Sequence, residues 1–182
     1  SKEAGAGDEA KLFTYNVIES AANGALSSAA TWGGIAPTPA NLYRINGGRT
    51  VTVDGVGAFS GEGVVVNNGT LNFTANNVNV PLIVINSGGS FTNSTGTSLS
   101  IGDPSVTEEN VEMAGGGLIV NRDLTYSAFA GREDLNINVP FVSSHNFTFN
   151  GVASSDLTMR FPATHRGTIN FNGLGDKVVL TN

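Results

Sequence analysis

The phrase GVVVNNGTLNF, residues 63–73, sets two strand-like runs around an Asn-Asn-Gly turn, and PLIVINSGGSFTN (81–93) and GGLIVNRDLTY (116–126) repeat it. A unit this short cannot bury an apolar face by itself, so a chain that keeps repeating it has to stack the copies into one continuous core. First members of the strand pairs start at Leu42, Val64, Leu82, Leu99, Leu118, Leu135, Leu157 and Val178, in steps of 22, 18, 17, 19, 17, 22 and 21 residues. Second members start at Thr50, Thr70, Ser90, Leu124, Phe147 and Thr168, with one degraded member expected within VTEENVEM, between Ser90 and Leu124.

A leucine-rich repeat requires a fixed Leu and Asn framework that is missing here. The pattern fits an all-β, single-stranded parallel β-helix of about eight coils of 17–22 residues. Alternate residues such as Val64 and Val66, Leu71 and Phe73, Ile83 and Ile85, and Ile169 and Phe171 are then expected inside, with Asn, Thr and Ser facing water. NNG, NSGG, NGG and NGLG supply residues that tolerate positive φ where a strand bends to the next side. Eight coils at ~4.8 Å per strand make a rod of roughly 35–40 Å. The alternative is an antiparallel β-sandwich or jelly roll, which the Asn-Gly pairs starting at Asn46, Asn68, Asn150 and Asn172 would serve as hairpin turns.

Charge and composition narrow the function classes. Nine Lys and Arg scattered along a chain of net charge −6 form no basic stripe, which excludes nucleic acid as the expected partner. With no Cys there is neither a disulfide framework nor a thiolate metal site. No apolar run approaches the roughly 20 residues that span a bilayer, so no membrane partner is expected. The start, SKEAGAGDEA, lacks a basic segment followed by a hydrophobic one and fits removal of an initiator Met better than an intact secretory signal.

Residues 1–31 read as an N-terminal arm or cap, and 32–182 as the solenoid domain. Asp8 suits the N-cap of a short helix carrying Leu12, Phe13, Val17 and Ile18, and a strand from Lys11 to Ile18 fits equally. Either form is expected to cover the open end of the first coil and to be held in place by a partner. Leu12, Phe13, Tyr15, Val17 and Ile18 are its candidate partner-binding residues.

TWGGIAPTPANLYRINGGRTVTVDG, residues 31–55, resembles the leading coil of β-helical surface and virion structural proteins of the bacteriophage decoration or fibre-associated type. The likeness rests on Trp32, Gly33, Gly34, Pro37 and the TVTVDG strand, and departs from the pattern at Asn41, where an acid is usual. It implies a structural module of a virion or bacterial surface, docked on a capsid or tail-type shell and favouring a homotrimer. It transfers no catalytic residue.

Candidates for chemistry are few. Parallel β-helices that act on polysaccharides place acids on neighbouring coils. Asp134 and Asp156 each precede the Leu that opens a coil and are expected to stack, with Arg160 near; they are the glycan candidates of the alternative reading, a secreted or cell-surface β-helix protein that binds or cleaves polysaccharide. Aromatic platforms for sugar are limited to Trp32, Tyr43 and Tyr126. Asp103, Glu108, Glu109 and Glu112 put four acids in ten residues, but their spacing matches no EF-hand and reads as a solvated loop. His145 and His165 are 20 residues apart, about one coil, and are expected to stack on one side without a third ligand. Phosphate loops, dinucleotide fingerprints and nucleophile elbows are lacking, so the expectation is a non-catalytic structural protein without cofactor.

Overall fold

The computed structural model describes residues 16–54, 59–75, 80, 82–95, 97–102, 117–128, 134–151, 155–160, 164–172 and 177–180, excluding the side chains of 164, 165 and 177–180. All pairing among the described strands is parallel, which decides for the solenoid against the sandwich. The chain winds around three sides. The first is a seven-stranded sheet of β1 (Asn16–Glu19), β3 (Asn41–Ile45), β5 (Gly63–Val66), β7 (Leu82–Ile85), β10 (Gly117–Val120), β13 (Phe141–Ser143) and β16 (Thr164–His165), in that order.

The second side begins with β2 (Gly24–Ala25), β4 (Thr50–Val53), β6 (Gly69–Phe73) and β8 (Gly89–Asn93), and continues with β11 (Leu124–Ser127), β14 (Phe147–Asn150) and β17 (Ile169–Asn172). The third holds β9 (Leu99–Ile101), β12 (Leu135–Ile137), β15 (Asp156–Met159) and β18 (Lys177–Leu180). In the first coil a 3-10 turn, Ala29–Trp32, takes the third side, and Trp32 fills the core there with its indole N–H donating to the Leu26 carbonyl at 2.8 Å.

The eight-coil count is therefore too high: the first side stacks seven strands, and four coils carry a described strand on all three sides. Two sides were read as one series. Leu42, Val64, Leu82 and Leu118 lie on the first side, whereas Leu99, Leu135, Leu157 and Val178 lie on the third. The 17-residue steps from Leu82 to Leu99 and from Leu118 to Leu135 are thus passages within a coil. True coil steps follow from the register: Val64 over Ile83, Leu118 over Phe141, Leu135 over Leu157.

The long step from Ile83 to Leu118 does not conceal a lost coil. Asn121 donates its backbone N–H to the Ile85 carbonyl at 2.8 Å, and the Arg122 guanidinium donates to the Gly89 carbonyl at 2.8 Å, so β11 follows directly on β8. Gly102 stands beside Asn138 and Gly117 is level with Pro140, so the additional residues of this step are 103–116, where the next coil has Val139 alone. VTEENVEM lies within that segment, outside the described residues.

Alternation produces the core as the pattern requires. Val64, Val66, Leu71, Phe73, Ile83 and Ile85 are buried, and Ile169 and Phe171 pack against the core partly covered. Each fully buried side chain of this kind contributes roughly 1.5–3 kcal/mol. Asn-Gly pairs act as corners: Asn68 has φ 47°, and Gly88 in NSGG has φ 75°. No described helix is long and apolar enough to cross a membrane.

Candidate functional site

The first candidate is the N-terminal end. Val17 and Ile18 sit on β1, the terminal strand of the first sheet, paired in register with Leu42 and Tyr43 of β3. The described part of the expected arm is therefore wound as a coil: β1 and β2 are already sheet members, which fits the strand reading of that segment. Ile18 faces the core, while Val17 points outward and is 40% exposed. The coil is fastened to the next by the Glu19–Arg44 ion pair at 2.8 Å, by the buried Ser20 hydroxyl accepting from the Asn46 N–H, and by the Asn23 side-chain oxygen accepting from the Thr50 N–H. Leu12, Phe13 and Tyr15 lie outside the described residues.

The second candidate is the acid pair on the third side. Leu135 is in register with Leu157, which sets Asp134 and Asp156 on adjacent coils at the same corner. The stacking is structural in part: Asp134 Oδ1 accepts the Asp156 backbone N–H at 2.9 Å, while Ser98 Oγ accepts the Asp134 N–H at 2.9 Å. One carboxylate oxygen thus joins coils as a turn cap. Arg160 is at the opposite end of β15, four residues from Asp156 and so ~13 Å along the strand, where its N–H donates to the Ile137 carbonyl. The structure brings the two acids together and places Arg160 at the far corner.

The sugar platforms expected from sequence are inside the protein. Trp32, Tyr43 and Tyr126 are all buried; Trp32 and Tyr43 pack edge to face with centroids 4.9 Å apart, and Tyr126 stacks on Phe91 and Phe149. The Tyr43 hydroxyl is committed to the chain, accepting from the Thr38 N–H at 2.8 Å and donating to the Ala36 carbonyl at 3.3 Å.

The two histidines do not stack. His165 is in register with Ser143, and the residue over His145 is Gly167, because the coil step here is 22 residues and a spacing of 20 falls two short. His145 lies 3.8 Å from Asp123. Asp103, Glu108, Glu109 and Glu112 are outside the described residues, and among the described ones no group of three or more His, Asp or Glu is placed to hold a metal.

Not singled out from sequence were Val65, Val84, Ile119 and Val142, which form one outward column on the first side. The signal was present: VVV, LIVI and LIV are unbroken apolar runs, whereas TLNF, SFTN and FTF alternate. Compared with family models, curated proteins and solved structures, the chain gives no match.

Proposed function

We propose that the chain is a non-catalytic structural module of a virion, a β-solenoid that docks on a larger protein assembly of the capsid or tail-shell kind through its N-terminal end. The observation that carries this reading is the open edge of β1. Among the described residues it is the last strand of its sheet, it follows directly on residues 1–15 in sequence, and its outward Val17 is 40% exposed. A parallel edge with unspent N–H and C=O groups is a template for a further strand. The resemblance of residues 31–55 to the opening coil of β-helical virion proteins points the same way.

Co-sedimentation with shells from its own source, cleared of the chain, tests the proposal. The full chain binds saturably at a fixed ratio to shell subunits, and Val17→Asp weakens binding at least tenfold. Failure of the wild type to bind shells overturns the reading.

A second reading, a secreted polysaccharide-binding or -cleaving solenoid, is favoured by one observation, the in-register pair Asp134 and Asp156. It requires that the chain bind or cleave a polysaccharide and that Asp156→Asn abolish this in a folded protein.

A further inference from the structure

Outward side chains divide the three sides sharply. On the second side the outer columns read Thr50, Thr70, Ser90 and Thr125, Thr148, Asn170, and on the third Ser100, Asn136, Thr158, with Val179 next in register. On the first side one column reads Val65, Val84, Ile119, Val142, one residue per coil, and the neighbouring column places Leu42 and Leu82 around Gly63. Val142 remains 39% exposed. Strands apolar on both faces are the mark of a sheet covered on both sides. The inner face is covered by the core; nothing among the described residues covers the outer one.

We infer that a second copy of this chain covers it, with the two solenoids side by side and coils level with coils. Three properties of the face select a second copy. The first is charge. The chain carries −6, yet the Asp, Glu, Lys and Arg on the described strands of this side are Glu19 and Arg44 alone, which neutralise each other at 2.8 Å. Two copies therefore meet here as faces without net charge.

The second property is periodicity. The outer valines recur once per coil, as they do in the partner, so agreement at one level carries to the rest.

Area is the third. Seven strands at ~4.8 Å and four residues at ~3.3 Å make a strip of ~29 by ~13 Å, about 380 Å², with the Val and Ile column on four of its strands. Including one corner residue on each side, six across, gives about 580 Å² per copy and ~1,200 Å² for a pair, the lower bound of stable interfaces. One such corner is the ladder Asn67, Asn86, Asn121, a polar rim beside an apolar centre.

The inference is independent of shell docking. Its test is the mass of the full chain by light scattering across micromolar concentrations. The wild type is a dimer. Val84→Lys and Ile119→Lys, whose side chains leave the core untouched, reduce it to the single-chain mass with unchanged far-ultraviolet circular dichroism. Thr92→Lys, outward on β8, leaves the mass of the wild type. Val84→Thr, which keeps shape and β preference, raises the dissociation constant at least tenfold. A wild type of single-chain mass throughout, or an oligomer that Val84→Lys and Ile119→Lys leave intact, overturns the inference.

Discussion

Phe91 and Tyr126 stack with ring centroids 5.2 Å apart and planes 24° from parallel, although 35 residues separate them in sequence. The equal interval of five residues from Asn86 to Phe91 and from Asn121 to Tyr126 explains the match, since Asn121 sits on Asn86. Tyr126 in turn stacks on Phe149, and Phe149 packs on Phe171 at 5.1 Å, so one aromatic column crosses the gap between the two sheets of the second side. Phe91→Ala removes the ring that joins the halves. It is expected to cost about 3–5 kcal/mol, read as a fall in the chemical denaturation midpoint. A loss below 1 kcal/mol would show that the column does not hold the halves together.

Because β11 follows directly on β8, residues 103–116 are expected to be dispensable to the fold. Replacing them with a single Val copies the corner Asn138–Val139–Pro140 of the next coil. Shortening the segment should leave unfolding cooperative and its free energy unchanged or raised, by up to about 2 kcal/mol. A marked drop in melting temperature would mean that the segment packs on the solenoid and contributes to its stability.

Inward positions were legible in sequence wherever alternation was strict, as at Leu71 and Phe73 or Phe147 and Phe149, because side chains of a strand alternate regardless of the sheet it joins. Side membership was not legible. LSI at Leu99 and LNI at Leu135 alternate where LIV at Leu118 does not, but each opens on a Leu, and grouping by that Leu merges two sides that the stacking separates. Asn-Gly was ambiguous for a physical reason: the positive φ of Asn68 serves a solenoid corner as well as a hairpin. The Asp134–Asp156 stack could be read because each acid precedes a Leu at equal phase, whereas the histidine stack failed on a two-residue error in coil length.

Two glycines at corners separate crowding from backbone conformation. A Cβ on Gly89 would strike the Val66 carbonyl oxygen, a backbone atom of the coil below that cannot move aside cheaply. Gly48 has φ 72° with nothing within 4 Å of such a Cβ. Gly89→Ala is expected to destabilise by about 3 kcal/mol. Gly48→Ala should cost only the left-handed strain of about 1 kcal/mol. Thermal melts of the two variants check the order, and the reverse order would refute the close stacking at Gly89.

The corner ladder gives a fourth stability test. Asn86 donates to Asn67 Oδ1 at 2.8 Å and accepts from Asn121 Nδ2 at 2.9 Å, so its amide uses both ends. Asn86→Ala breaks two bonds and is expected to cost about 1–2 kcal/mol. Asn67→Ala removes one of them and should cost about half as much. Equal effects from the two variants would mean that the ladder contributes nothing beyond side-chain bulk.

Asp134 tests whether its carboxylate serves the fold or a reaction. Asn keeps an oxygen where Asp134 Oδ1 accepts the Asp156 N–H, and Ala does not. If the carboxylate is a coil-joining cap, Asp134→Asn stays within a few tenths of a kcal/mol of the wild type, while Asp134→Ala loses about 1 kcal/mol. Glycan binding, measured on an array, is then absent from the wild type and both variants. A wild type that retains a polysaccharide and loses it in Asp134→Asn, with stability unchanged, would transfer the working part of the molecule from its N-terminal edge to its third side.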